Sequence, residues 1–169
     1  MALRVRRLSA DDADAYRTLR LFALGDAPYA FGDSIEEAEA RPWQYWLGLF
    51  SGERAFFGAF NGENLVGSAN FMPEPGQKAR HRGWLLGVYV APEARGTGAA
   101  DLLVEAVLSH ARQKGALQVH LGVSTENLPA QRLYARFGFS TYGTQPRALM
   151  VDGKFIDEHH MVRFLDKDE

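Results

Sequence analysis

The residues best suited to chemistry lie in one run, Val88-Tyr89-Val90-Ala91-Pro92-Glu93-Ala94-Arg95-Gly96-Thr97-Gly98-Ala99-Ala100-Asp101. An apolar, strand-like stretch enters a turn of small residues, and the turn opens a helical pattern. The first N–H groups of a helix have no internal partner, and the dipole favours negative charge there. Small side chains let a ligand approach the backbone, so the natural guest is a phosphate or pyrophosphate. On the loop alone, a bare tight turn through Gly96 and Gly98 is the competing reading. Two other phosphate patterns fail. A P-loop needs Gly-Lys followed by Ser or Thr, and Gly98 is followed by Ala99; a dinucleotide fingerprint started at Gly96 meets Asp101 where its third glycine belongs.

A second group lies further on. Asn127, with Pro129 behind it, reads as a helix N-cap. Tyr134 follows seven residues later, about two turns on and on the same face. By periodicity it belongs to an apolar stripe of Ala130, Leu133, Tyr134 and Phe137, which alone reads as core.

Both segments resemble the GNAT N-acetyltransferases. Arg95-x-x-Gly98-x-Ala100 fits the Q/R-x-x-G-x-G/A signature, and Val90-Ala91-Pro92-Glu93 fits the usual approach to it. Asn127, Ala130, Leu133, Tyr134, Gly138 and Phe139 fit the N-x-x-A-x-x-L-Y-x-x-x-G-F pattern. Together they cover about residues 84 to 139, in the family's order and separation.

The resemblance implies acetyl-CoA as co-substrate and no metal. It places the pyrophosphate on the backbone amides of Gly96, Thr97, Gly98, Ala99, Ala100 and Asp101, with Arg95 at the edge. The pantetheine arm would lie along Val88, Tyr89 and Val90 like an added strand, because the fourth and fifth strands splay apart in the family. Asp101 departs from the Arg, Lys or Ser common there, and a carboxylate beside a pyrophosphate is unfavourable unless it points away. Asn127 resembles the Asn that contacts the cofactor near the thioester. Tyr134 resembles the Tyr that protonates the departing thiolate, a role a phenol of pKa about 10 can fill at pH 7.

The implied reaction is direct attack of a primary amine on the thioester, the amine belonging to a small molecule or to a peptide or protein. A fourth-strand N–H would stabilise the oxyanion. Making a lysine-like amine neutral at pH 7 costs roughly 4.6 kcal/mol, so a base is wanted. Relatives with a Glu five residues before the Asn have one, but Gly122 stands there. Glu126 and His120 are candidates by proximity only. Asp157, Glu158 and the pair His159-His160 are further candidates to face the acceptor. Asp26, Asp33, Glu36, Glu37 and Glu39, with no basic residue among them, form a patch suited to a cationic amine or simply to a solvated face. Trp43, Tyr45 and Trp46 suit a substrate wall or a core stripe.

The elements that must position these groups follow from patterning. Strands are expected over Leu3–Leu8, Ala55–Phe60, Leu65–Met72, Trp84–Val90 and Val119–Val123, then within Phe139–Val151 and Phe155–Leu165. The run Trp84–Val90 reads as buried on both faces. Hairpin turns are expected at Asn61-Gly62 and Asp152-Gly153. Helices are expected to start at the capping boxes of Ser9 and Ser34, at Pro42, at Gly98 and at Asn127. Gly25, Gly115 and Gly138 are their expected stops. On the apolar sides lie Ala13, Tyr16, Leu19 and Ala23; Trp43, Trp46, Leu47 and Phe50; and Leu102, Leu103, Ala106, Val107, His110 and Ala111. The expected fold is an α/β, GNAT-like three-layer arrangement. Its central sheet is mixed, mostly antiparallel and of about seven strands, flanked by about four helices, in a single acetyltransferase domain over 1–169.

The chain's 169 residues carry net charge −2, 46% hydrophobic residues and no cysteine. This is ordinary globular composition. Near-neutral charge argues against nucleic acid. The absence of cysteine removes disulfides, thiolate metal sites and a Cys nucleophile, and agrees with a reducing cytoplasm. No apolar run approaches a membrane span, and the polar Met1–Asp14 does not read as a signal peptide. No histidines stand at H-x-x-x-H spacing, and on a strand His159 and His160 face opposite ways, which argues against a metal site. Homodimers are common in the family and admissible here by analogy. The alternative is a non-catalytic acyl-CoA-binding or sensor domain on the same fold; a nucleotide-binding enzyme ranks third.

Overall fold

The computed structural model describes residues 2–167. In chain order it contains β1 (Leu3–Arg7), α1 (Ala13–Asp26), α2 (Ile35–Glu39), α3 (Trp43–Gly48), β2 (Ala55–Asn61), β3 (Asn64–Pro73) and β4 (Arg82–Val90). Then follow α4 (Ala99–Gln113), β5 (Gln118–Ser124), α5 (Leu128–Arg136), β6 (Ser140–Val151) and β7 (Lys154–Phe164). The seven strands form one sheet in the order β1-β2-β3-β4-β5-β7-β6. Only β4 and β5 run parallel; all other neighbours are antiparallel. The expected mixed, mostly antiparallel sheet is present. Of its five helices, α2 and α3 are short pieces beside three longer ones.

Each face of the sheet is covered because each helix keeps one apolar side. On one face Leu103, Val104, Val107 and Leu108 of α4 pack on Phe71, Leu85 and Leu121, and Leu133 and Tyr134 of α5 extend that core. On the other, Tyr16, Leu19 and Ala23 of α1 pack with Trp46, Phe56, Phe60 and Tyr89. Both capping boxes form: Asp12 accepts from Ser9 N at 2.9 Å and Glu37 from Ser34 N at 2.8 Å.

Several expectations shift. α1 runs past Gly25 to Asp26 and ends because Ala27 precedes Pro28, where helical ψ is disfavoured. In α4 the buried stripe sits one residue further round than expected, leaving Leu102 exposed. In α3 only Trp46 is buried; Trp43 and Leu47 are exposed, because six residues present a single turn to the core. The first hairpin pairs Asn61 with Asn64, so its turn residues are Gly62-Glu63. β4 is not buried on both faces: Gly83, Leu85 and Tyr89 are buried, whereas Trp84, Leu86, Val88 and Val90 are partly exposed along a cleft.

Candidate active site

Two glycines, one on each side of Thr97, shape the loop that leaves β4. Gly96 and Gly98 have φ of +73° and +88°, conformations that L side chains rarely adopt. Nothing lies within 4 Å of a Cβ built on either, so the space before them is open. Thr97 Oγ1 donates to the Ala94 carbonyl and braces the turn. The first α-helical bond of α4 is Leu102 N to Gly98 O, at 3.1 Å, so the amides of Ala99, Ala100 and Asp101 precede the ladder.

β4 and β5 pair only over Arg82–Trp84 with Gln118–His120. Beyond that point they diverge. In β4, Gly87 and Val88 stand opposite the single residue Ala69, a bulge that Gly87 accommodates with φ +62°. The fork and the glycine loop share one cleft of about 1020 Å³. Its walls include Val88, Val90, Gly96, Gly98, Asn127 and Tyr134. Tyr89 lines it too, but its side chain is buried in the α1 core, and its hydroxyl donates to Asp26 at 2.8 Å.

Charges around the loop are paired. Asp101 accepts from Arg136 Nη2 at 2.8 Å, so its carboxylate is neutralised beside the helix start. Arg95 is anchored twice: Nε donates to the Val90 carbonyl at 3.1 Å, and Nη2 meets Asp26 at 2.5 Å. The Tyr89 hydroxyl, then Arg95, hold the Asp26 carboxyl below its usual range. Burial, and then Asp26, push the Tyr89 phenol up.

Asn127 caps α5, its Oδ1 accepting from Ala130 N at 3.2 Å. Asn127 also lines the cleft. Tyr134 is 7% exposed, and its ring meets Phe139 edge-on at 6.0 Å. Burial pushes its phenol upward, so the proton stays on at neutral pH.

The acceptor side of the fork is less as expected. Glu126 pairs with Lys154 at 2.7 Å on the surface. His120 lies among Gln118, Tyr142 and Trp84, 2.9 and 3.2 Å from the first two, and off the cleft wall; burial lowers its pKa. Asp157 accepts from Arg147 N at 2.8 Å, and His159 bonds Thr144 at 2.8 Å. Glu158 and His160 line the cleft. Glu158 lies over Gly122: a Cβ built there sits 3.3 Å from Glu158 Oε1. The carboxylate missing from β5 thus has a counterpart from β7.

Three of the five acids from Asp26 to the end of α2 are engaged. Asp26 serves Tyr89 and Arg95, Asp33 pairs with Arg20 at 3.2 Å, and Glu37 closes its capping box. Tyr45 and Trp46 both line the cleft, Trp46 being core as well, and Trp43 does neither. Sequence reading passed over Arg20, Arg54 and Arg136, which also line the cleft. The available signal was Gly87, a helix- and strand-weakening residue inside an apolar run, which marks a bulge and a close approach. No group of three or more His, Cys, Asp or Glu suited to a metal occurs among the described residues. No helix there is long and apolar enough to cross a membrane.

Comparison with known proteins identifies a family and a fold. The model of the acetyltransferase (GNAT) family matches residues 18–139. An uncharacterized N-acetyltransferase of Mycobacterium tuberculosis is 42% identical over 78 residues, 46% of this chain and 49% of that protein. A mycothiol acetyltransferase of Thermobispora bispora is 33% identical over 137 residues, 78% of this chain and 44% of its own length. The chain thus spans about half the length of the curated relatives it matches. A Salmonella typhimurium structure, solved with its cofactor acetyl-CoA, superposes with a TM-score of 0.84 at 19% identity, covering 100% of this chain and 97% of that one.

Proposed function

The chain belongs to the acetyltransferase (GNAT) family, and on that premise we propose that it transfers the acetyl group of acetyl-CoA to a primary amine. The observation that carries this is the shared cleft of the glycine loop and the β4–β5 fork, with Tyr134 and Glu158 on its walls. The residues present suit the cofactor. The open space before Gly96 and Gly98 and the amides of Thr97 to Asp101 fit a pyrophosphate, with Arg95 and Arg136 beside it. The edge of β4 that faces β5 has no strand partner beyond Trp84, and over Val88–Val90 it fits a strand-like pantetheine arm, apart from the Val90 carbonyl that Arg95 occupies.

Bound acetyl-CoA supplies the thioester carbon. Glu158 takes the proton of the attacking amine as the new C–N bond forms. A β4 N–H at the bulge and the Asn127 amide donate to the developing oxyanion. Tyr134 gives its proton to the sulfur as the C–S bond breaks and later regains one from solvent. The mycothiol acetyltransferase among the relatives favours a small-molecule acceptor over a protein. A cytoplasmic location and one acetyltransferase domain over 1–169 belong to the same proposal.

Calorimetry with acetyl-CoA, followed by thiol release against a panel of amines, tests the function. Saturable binding with amine-dependent release supports it. Binding with no release by any amine makes the chain a CoA-binding domain instead. Tyr134→Phe separates the proton from the packing, since the ring is retained. Turnover is expected to fall about 100-fold, with acetyl-CoA affinity within twofold of wild type. Unchanged turnover removes Tyr134 as the acid.

A further inference from the structure

On the acceptor side of the cleft two guanidinium groups converge on the bulge at Gly87. Arg20 Nη1 lies 4.0 Å from a Cβ built on Gly87, and Asn70 Nδ2 lies 2.9 Å from the same point. Asn70 is 2% exposed, and its Oδ1 accepts from Arg54 Nε at 2.7 Å. The Asn70 amide therefore joins the bulge to Arg54. Arg54 also packs 5.0 Å from the centre of the Phe56 ring, and Arg20 packs 4.6 Å from that of Phe31. With Nε held and one side against a ring, Arg54 offers its two Nη groups in a fixed fork.

The charges do not balance at this spot. Arg20 has Asp33 at 3.2 Å. No carboxylate pairs with Arg54 among the described residues. Both arginines are only partly exposed, and the cleft wall around them includes Phe31, Tyr45 and Trp84. A half-buried, uncompensated guanidinium is costly unless an anion joins it. An uncompensated charge on a planar fork matches a carboxylate, which Arg binds through two parallel hydrogen bonds.

Resting on the acetyltransferase reading above, we infer that the acceptor is an amine that also bears a carboxylate, received by Arg54 and Arg20 beside Gly87 while its amino group faces Glu158. The cleft is thus polarised to match an amino-acid-like zwitterion, cationic end toward β7 and anionic end toward α1 and β2. Asp26 and Asp33, already paired with Arg95 and Arg20, take no part in holding the amine.

The test sets L-amino acids against their own primary amides as acceptors, by thiol release. The acids are expected to exceed their amides in kcat/KM by at least tenfold for the preferred side chain, mainly through KM. Arg54→Gln is expected to bring that acid-to-amide ratio to within about twofold of one. Arg54→Lys, which keeps the charge and loses the fork, is expected to restore only part of it. Amides as good as acids, or an Arg54→Gln ratio equal to that of wild type, overturns the inference. Calorimetry of N-acetyl-amino acids against their amides decides the site without turnover. Carboxylate-selective binding lost in Arg54→Gln supports it even if no amine is acetylated, an outcome that would sink the acetyltransferase reading alone. Equal binding of acid and amide by wild type overturns the carboxylate site while leaving acetyl transfer standing.

Discussion

Gly98→Trp is expected to weaken acetyl-CoA binding by more than about 100-fold, or roughly 2.7 kcal/mol, while the protein stays folded. Gly98 has φ +88°, and a Cβ there meets no heavy atom within 4 Å. The indole therefore has room, and that room is where a pyrophosphate must sit to reach the amides of α4. The cost to the fold is the left-handed backbone alone, about 1–2 kcal/mol, or roughly 2–8 °C in Tm for a domain of this size. Gly76→Trp provides the control: its φ is +94°, its Cβ also meets nothing, and it lies outside the cleft. It carries the same strain and is expected to bind acetyl-CoA like wild type. Wild-type affinity in Gly98→Trp would move the cofactor off this loop. Equal loss in both variants would trace the effect to stability.

Glu158→Gln is expected to lower kcat/KM about 100- to 1,000-fold at pH 7, the range of a general base. The amide keeps the size of the side chain over Gly122 and removes its ability to take a proton. The sign of the pH dependence follows from the acceptor. An amine of pKa about 10.4 must give up roughly 4.6 kcal/mol to be neutral at pH 7, but only roughly 1.2 kcal/mol at pH 9.5. The gap between wild type and variant should therefore narrow as pH rises. A merely structural role would leave it constant. Gly122 and Glu158 are diagonal neighbours across β5 and β7, since Gly122 pairs with His160 and Ser124 with Glu158. Glu158→Gly combined with Gly122→Glu moves the carboxylate one strand over and is expected to recover at least tenfold of the loss. A pH-independent loss with no recovery would assign the proton to another group.

What the sequence determined by itself is local. The loop from Arg95 to Asp101 was legible because its two glycines, its small residues and the helix start are consecutive, and a positive φ demands glycine wherever the fold places it. The same holds for the Ser9, Ser34 and Asn127 caps, whose partners lie three residues away, and for the Asp152-Gly153 turn, where Val151 pairs with Lys154. Strand and helix order followed from apolar periods of two and 3.6.

The tertiary structure decided who meets whom across that framework. Asp26 belongs to Tyr89, 63 residues away, a pairing that composition alone, which left the acidic run as a substrate patch or a solvated face, does not show. Glu158 reaches Gly122, and Arg54 reaches Gly87 through Asn70, only because strands pair in one register with one bulge in β4. A slip of one residue in either pairing would turn these side chains to the opposite face. Sequence spacing fixes register only across a tight turn such as Asp152-Gly153, and not between β3 and β4 or β5 and β7, which long connections separate. The glycine loop could therefore be read from the chain, while the placement of Glu158 and Arg54 on the cleft wall depends on contacts that exist only once the sheet has formed.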